Sequence, residues 1–298
     1  MMLQSISNRH DAHHIRTRKN SIEPLTDSIH DGKVHLLLGC SGSVATIKLP
    51  NIIQTLSKYS SNQLSIRVVL TPSASQFLSG QSKEQPTVSA LTTLPNVDGQ
   101  YVDADEWKVP WVRGGGILHI ELRRWADLFV IAPLSANTMA KIVGGFADSL
   151  LTSVVRAWDP WGDLDTATAN PTTQGQEGTT GVRRRSRKRR IMVAPAMNTA
   201  MWRHPITAKQ LRVLEEEWGV QKQSAFKAQS EDSFAAENAP APSPETSRPS
   251  ATEDEGDGWF EVLRPQRKIL ACGDAGDGAM VEWTQIVTAI EERLGLQA

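Results

Sequence analysis

Hydrophobic positions along this chain gather in short, nearly continuous runs rather than in alternation. Val34–Leu38 is one, Ile66–Leu70 a second, Leu128–Ala132 a third and Ile191–Ala194 a fourth. A strand wetted on one face alternates apolar with polar residues, whereas a strand covered on both faces is apolar nearly throughout. The four runs therefore predict strands of a parallel sheet layered between helices, an α/β fold. The residues after each run agree. Gly39-Cys40-Ser41-Gly42-Ser43 leads into Val44, Ile47, Ile52, Ile53 and Leu56 at helical spacing, and Pro50 is expected to kink that helix rather than end it. Thr71-Pro72-Ser73-Ala74 sets a hydroxyl cap before a proline in the first turn of the next helix. Pro133-Leu134-Ser135-Ala136-Asn137-Thr138 repeats the transition, and the fourth run exits through Pro195 toward Asn198. Thr207–Trp218 and Trp283–Leu294 carry apolar residues on one helical face and read as covering helices.

Between these elements the composition changes character. Residues 159–190 are rich in Thr and Gly before a basic end, and residues 224–258 are rich in Pro, Ala, Ser and acids. Such segments bury too little apolar surface to offset the entropy of ordering them. The expectation is a tail over residues 1–31, then one domain over 32–298 interrupted by disordered insertions at 159–190 and 224–258. The formal net charge of −1 conceals two opposite patches. Arg183–Arg190 is basic at seven of eight positions, while Ser230–Gly258 holds eight acids against one base. The chain as a whole thus offers no electrostatic case for nucleic acid, although the basic run could serve as a nuclear address. No apolar run approaches membrane-spanning length, and two cysteines suit a reducing compartment, so a cytoplasmic protein without a membrane partner is expected.

In a parallel sheet the turns Gly39–Ser43, Thr71–Ala74 and Pro133–Thr138 all fall at the carboxyl ends of strands, where ligands of open α/β folds collect. Backbone N–H groups and hydroxyls there can hold a phosphate, or the three can be ordinary helix caps. His119 follows Gly114-Gly115-Gly116 and can project beyond the sheet edge as a base, against the alternative of a packed structural histidine. Asn198 either caps the next helix or binds a carboxylate through its amide N–H groups. Cys272 stands in a glycine-dense loop where a thiol is reactive, whereas Cys40 at a buried strand end is an inert small hydrophobe. Asp274 and Asp277 lack the spacing and the distal Glu of a calcium loop, and no Cys/His spacing supports zinc, so no metal is expected.

Taken together, Gly42-Ser43-Val44-Ala45, the run Leu118–Gly145, the block Ala194–Trp202 and the loop Ala271–Met280 resemble the homo-oligomeric flavin-containing cysteine decarboxylases, the family of phosphopantothenoylcysteine decarboxylase. About half the chain carries the resemblance. It implies a three-layer flavodoxin-like or Rossmann-like parallel sheet with helices on both faces, and a homotrimer with FMN at subunit boundaries. It makes Gly42, Ser43, Thr71, Ser73, Ser135, Ala136, Asn137 and Thr138 flavin contacts. His119 and Cys272 become the catalytic residues, and Asn198, Ala271, Gly273 and Met280 become substrate contacts. The implied reaction is decarboxylation of 4′-phosphopantothenoylcysteine in coenzyme A synthesis, with Cys272 supplying a proton. Pro72 and Gln76 depart from the family pattern, which has a basic residue and a histidine there.

Some fungal members resembling this family carry similar extensions and inhibit a Ser/Thr protein phosphatase, and some divide the His and Cys roles between paralogues. A regulatory phosphatase subunit is therefore the alternative function, and a paralogue or a phosphatase the alternative partner. Peptidyl-cysteine decarboxylation and flavin prenyl transfer would use the same fold, but the combination of His119, Asn198 and Cys272 argues against both.

Overall fold

A computed structural model of the chain describes residues 22–162, 164, 188–220, 258–269 and 275–297. Its centre is a six-stranded sheet, all parallel, of β1 (Val34–Cys40), β2 (Leu64–Leu70), β3 (Val97–Val102), β4 (Leu128–Leu134), β5 (Arg190–Pro195) and β6 (Phe260–Val262). The order is β3-β2-β1-β4-β5-β6, the doubly wound arrangement in which the chain fills one side of β1 and then the other. Every residue of β2 and β4 is buried, Ser65 and Arg67 of β2 included, as strands covered on both faces require.

Two apolar layers flank the sheet. One contains α2 (Leu49–Leu56) and α10 (Trp283–Leu294), which bury Ile52, Ile53, Leu56, Ile286 and Ile290. The other contains α1 (Ile22–Asp27), α5 (Leu118–Trp125), α6 (Ala136–Val143) and α7 (Leu150–Arg156), around Trp125, Phe129 and Leu151. Short helices α3 (Pro72–Ser75), α4 (Asp103–Glu106), α8 (Thr199–Arg203) and α9 (Pro205–Arg212) complete the connections. An antiparallel hairpin, β7 (Gln266–Ile269) with β8 (Ala275–Ala279), stands apart from the main sheet.

Several expectations are corrected. The tail does not extend to residue 31, because α1 is helical and Leu25 is fully buried. Its backbone and Ser28 also hold the buried Arg67 guanidinium, which donates to the Pro24 carbonyl and the Ser28 hydroxyl at 3.3 Å and stacks 5.1 Å from the Trp125 ring. A cation taken out of water needs this many acceptors, and periodicity alone cannot show where they come from. The insertion at 159–190 is likewise shorter than expected. Asp159, Lys188 and Arg189 are buried, and Arg190 opens β5, so the last three residues of the basic run belong to the folded core. Residues 165–187 and 221–257, with most of both expected insertions, lie outside the described residues. Pro50 does not kink one helix. It stands in the first turn of α2, after a separate 3-10 turn over Val44–Lys48, which suits a residue without an N–H to donate.

Candidate functional site

Because β1, β2 and β4 are adjacent and parallel, the turns at their carboxyl ends lie side by side at one sheet edge, where the chain changes direction. Hydrogen bonds join all three. The Ser41 hydroxyl donates to the Pro133 carbonyl at 3.0 Å and accepts from the Ser135 N–H at 2.7 Å. The Thr71 N–H donates to the Cys40 carbonyl at 3.1 Å. Gly42 permits the closest approach, since a Cβ there would stand 2.5 Å from the Ser73 hydroxyl oxygen. Only a residue without a side chain fits.

The hydroxyls also cap helices. Ser43 accepts from the Ala45 N–H at 3.4 Å, Thr71 from the Ala74 N–H at 3.2 Å and Ser135 from the Thr138 N–H at 3.3 Å. Capping does not exhaust them, because a hydroxyl has two lone pairs and a proton. Ser73 and Asn137 are exposed at this edge, and Thr71 and Ser73 share a 3.1 Å contact between hydroxyls. The edge thus presents hydroxyls, a carboxamide and glycine-bared backbone together, a donor set matched to a phosphate.

His119 occupies the first turn of α5, whose amino end lies at the same sheet edge because α5 runs back to the start of β4. Its ring Nδ1 contacts Glu106 Oε1, and its backbone N–H donates to that same oxygen at 3.3 Å. A cavity of about 640 Å³ opens beside the pair, lined by Asp103, Glu106, Trp107, His119, Asp148 and Arg156 among others. Burial raises the Asp103 carboxyl above its usual range, and the nearby charges of Asp148 and Glu106 push the same way against the Leu150 N–H that Asp103 accepts at 3.0 Å. Asp148 is held below its usual range by the hydrogen bond it accepts from Lys141 at 2.6 Å.

Asn198 follows β5 and is exposed, and its carboxamide oxygen caps α8 by accepting from the Met201 N–H at 2.8 Å. Its NH₂ group has no hydrogen-bond partner among the described residues, so capping and carboxylate binding are compatible. Strand β8 lies against this segment. The Met197 N–H donates to the Gly278 carbonyl at 2.9 Å, and a Cβ on Gly276 or Gly278 would collide with Thr199 or with the Met197 carbonyl. Ile269 pairs with Ala275 in the β7–β8 hairpin. Ala271, Cys272 and Gly273 themselves lie outside the described residues. Met280 belongs to the apolar core and is 8% exposed. Neither Asn198 nor Met280 lines the cavity beside His119.

Glu106 and Asp103 escape sequence reasoning. Asp103-Ala104-Asp105-Glu106 looks like a solvated acidic stretch. Cys40 is as expected: its thiol donates to the Ala132 carbonyl at 2.9 Å, and burial pushes it far above the usual thiol range.

The Flavoprotein family model matches residues 25–240. A phosphopantothenoylcysteine decarboxylase of Oryza sativa is 37% identical over 86% of this chain and 79% of its own. The Coenzyme A biosynthesis protein 3 of Saccharomyces cerevisiae is 33% identical over 89% of this chain, which spans only 34% of that relative. Two solved structures superpose at a TM-score of 0.55 with 32% identity. A mutant PPC decarboxylase complexed with pantothenoylaminoethenethiol matches 87% of this chain and 97% of its own. The FMN binding protein AtHal3 matches 89% and 99%.

Proposed function

We propose, from the premise that this chain belongs to the flavoprotein family, that it catalyses FMN-dependent decarboxylation of 4′-phosphopantothenoylcysteine to 4′-phosphopantetheine, a step of coenzyme A synthesis. The observation that carries the reading is the joining of three hydroxyl-bearing turns at the β1/β4 switch point, with His119 opening a helix at the same edge. The residues fit FMN. Gly42 keeps backbone bare where a Cβ would fill the space, and Ser43, Thr71, Ser73, Ser135, Ala136, Asn137 and Thr138 surround that cradle with hydroxyls and N–H groups.

When bound, FMN supplies a reversible two-electron acceptor, the electron sink that a simple cysteine carboxylate lacks. The chain's own residues do the rest. The NH₂ group of Asn198 holds the substrate carboxylate while its oxygen keeps α8 capped. His119 acts as base at the mouth of its cavity. Cys272 returns a proton to the decarboxylated enethiolate, with Ala271 and Gly273 at the substrate.

The active site is assembled between subunits of a homotrimer. Two observations support this: Asn198 is absent from the lining of the His119 cavity, and Trp107, which lines it, is 66% exposed. Apolar surface of that kind is characteristic of interfaces.

The test is direct. Full-length protein should purify yellow and release CO₂ from 4′-phosphopantothenoylcysteine, and Cys272→Ser should accumulate an oxidised enethiol product instead of the thiol. A colourless protein that releases no CO₂ even after FMN is added would overturn the reading.

A further inference from the structure

We propose that Glu106 is the positioning residue of His119, holding its imidazole as the Nδ1–H tautomer so that Nε2 is the ring's acceptor toward the cavity. The consequence for turnover rests on the decarboxylase reading, whereas the tautomer does not.

One carboxylate oxygen serves two groups of the same residue. Glu106 Oε1 accepts the backbone N–H of His119 at 3.3 Å and also contacts Nδ1 of its ring. A carboxylate oxygen that already accepts a backbone hydrogen bond is an acceptor for the ring as well, so the proton of that contact sits on Nδ1. Which nitrogen of a histidine carries the proton is set by the hydrogen bond that the other nitrogen makes. In the neutral ring, a proton on Nδ1 leaves the lone pair on Nε2, and the side chain lines the 640 Å³ cavity.

Burial makes the arrangement more than a surface ion pair. The Glu106 side chain is 6% exposed and that of His119 22%. Exposed pairs of this kind flicker and contribute little, while a shielded carboxylate oriented by two donors stays in place. Two of the other charged groups that line the cavity, Asp103 and Asp148, are engaged elsewhere, while Arg156 adds a cation to the same lining. Asp103 accepts from the Leu150 N–H at 3.0 Å, and Asp148 is bound to Lys141 at 2.6 Å. Among the described residues, Glu106 makes the one side-chain hydrogen bond to the His119 ring.

The bland alternative is that Glu106 merely satisfies an N–H in the first turn of α5, which a histidine-free helix would also want. The two roles differ in what is read out: a residue that only satisfied the helix N–H would leave the ring tautomer unchanged when replaced. Glu106→Gln keeps an oxygen acceptor and should preserve both the helix start and the tautomer. Glu106→Ala removes both.

The experiment is ¹⁵N spectroscopy of histidine-labelled, full-length protein, in which a protonated ring nitrogen and a bare one resonate far apart. The wild type and Glu106→Gln should show His119 as Nδ1–H, and Glu106→Ala should shift it toward the Nε2–H form that free histidine prefers. In steady-state assays with 4′-phosphopantothenoylcysteine, Glu106→Ala should lower kcat by about 10–100-fold with little change in KM, as loss of an orienting partner does elsewhere. It should add nothing when His119 is already alanine. An Nε2–H ring in the wild type, an unchanged tautomer in Glu106→Ala, or a further loss in the double variant would each overturn the proposal. Absence of CO₂ release by the wild type would instead sink the decarboxylase reading and leave the tautomer result standing.

Discussion

Gly42 shows how a single missing atom can decide a site. The turn after β1 and the turn after β2 come so close that a Cβ at Gly42 would lie 2.5 Å from the Ser73 hydroxyl oxygen and 2.6 Å from its Cβ. Something must move if a methyl group is added, and what moves is the cradle itself. Gly42→Ala is therefore expected to weaken FMN binding by at least about tenfold, roughly 1.4 kcal/mol, while leaving the sheet intact. Titration of flavin fluorescence, with far-ultraviolet circular dichroism as the control for fold, checks this. An unchanged affinity would remove Gly42 from the cofactor site. The same scale separates the two cysteines. Cys40 is buried, hydrogen-bonded and pushed far up in pKa, which leaves it no part in proton transfer at neutral pH. His119 was legible because a glycine run and the start of an amphipathic helix set it at an edge. Glu106 was not, because its meaning depends on a residue 13 positions away reached across an irregular loop.

At the scale of elements, charge fixes the outer helices where apolar periodicity only proposes them. Glu261 in β6 accepts from Arg293 Nε and one terminal nitrogen of its guanidinium, both at 2.8 Å, which ties α10 to the sheet edge, and Arg190 of β5 reaches it at 3.3 Å. Burial raises this carboxyl, but the Arg293 hydrogen bonds and the charges of Arg293 and Arg190 outweigh it, so its pKa lies below the ordinary glutamate value. A carboxyl lowered in the folded state adds stability above the unfolded pKa and loses it as pH falls through the folded one. Glu261→Gln should accordingly cost about 2 kcal/mol at pH 7, a typical sum for charge-assisted hydrogen bonds. The difference from wild type should narrow below about pH 4.3, where the unfolded carboxyl begins to protonate. Urea unfolding at several pH values measures it, and a difference that grows on acidification would refute the assignment.

Elements also differ in how far the sequence reveals them. The helix over Trp283–Leu294 is found at its expected bounds because its apolar face is continuous. Strand β3, Val-Asp-Gly-Gln-Tyr-Val, goes unseen because it lies at the sheet edge and its polar residues break the apolar run. Helix α1 is hidden in the same way: a six-residue helix has no periodicity to read, and what orders it is Leu25 in the core and the buried Arg67 guanidinium. The short β7–β8 hairpin depends on glycines that let it lie against Met197–Thr199, a contact between segments about 80 residues apart.

For the whole molecule, the question is how His119 meets Asn198 and Cys272. One chain does not bring Asn198 into the His119 cavity, and the trimer is proposed to do so. Mixing inactive His119→Ala with inactive Cys272→Ala subunits should restore part of the decarboxylase activity, because some interfaces would pair an intact histidine with an intact cysteine. No recovery after mixed trimers are verified by mass would return the site to a single protomer.

The amino-acid sequence by itself determined the layered α/β architecture, since short, mostly apolar runs that each lead through a turn into a helical pattern fit strands covered on both faces. It also determined the chemical identity of the edge, because hydroxyl, proline and glycine residues after each run are local instructions for a turn and a cap. Tertiary structure decided what those residues touch. The approach of Gly42 to Ser73, the acceptors around Arg67 and the Glu106 oxygen on His119 all join segments distant in the chain. Periodicity reports which face of an element is apolar, whereas a polar contact depends on where two elements come to rest, and packing alone sets that.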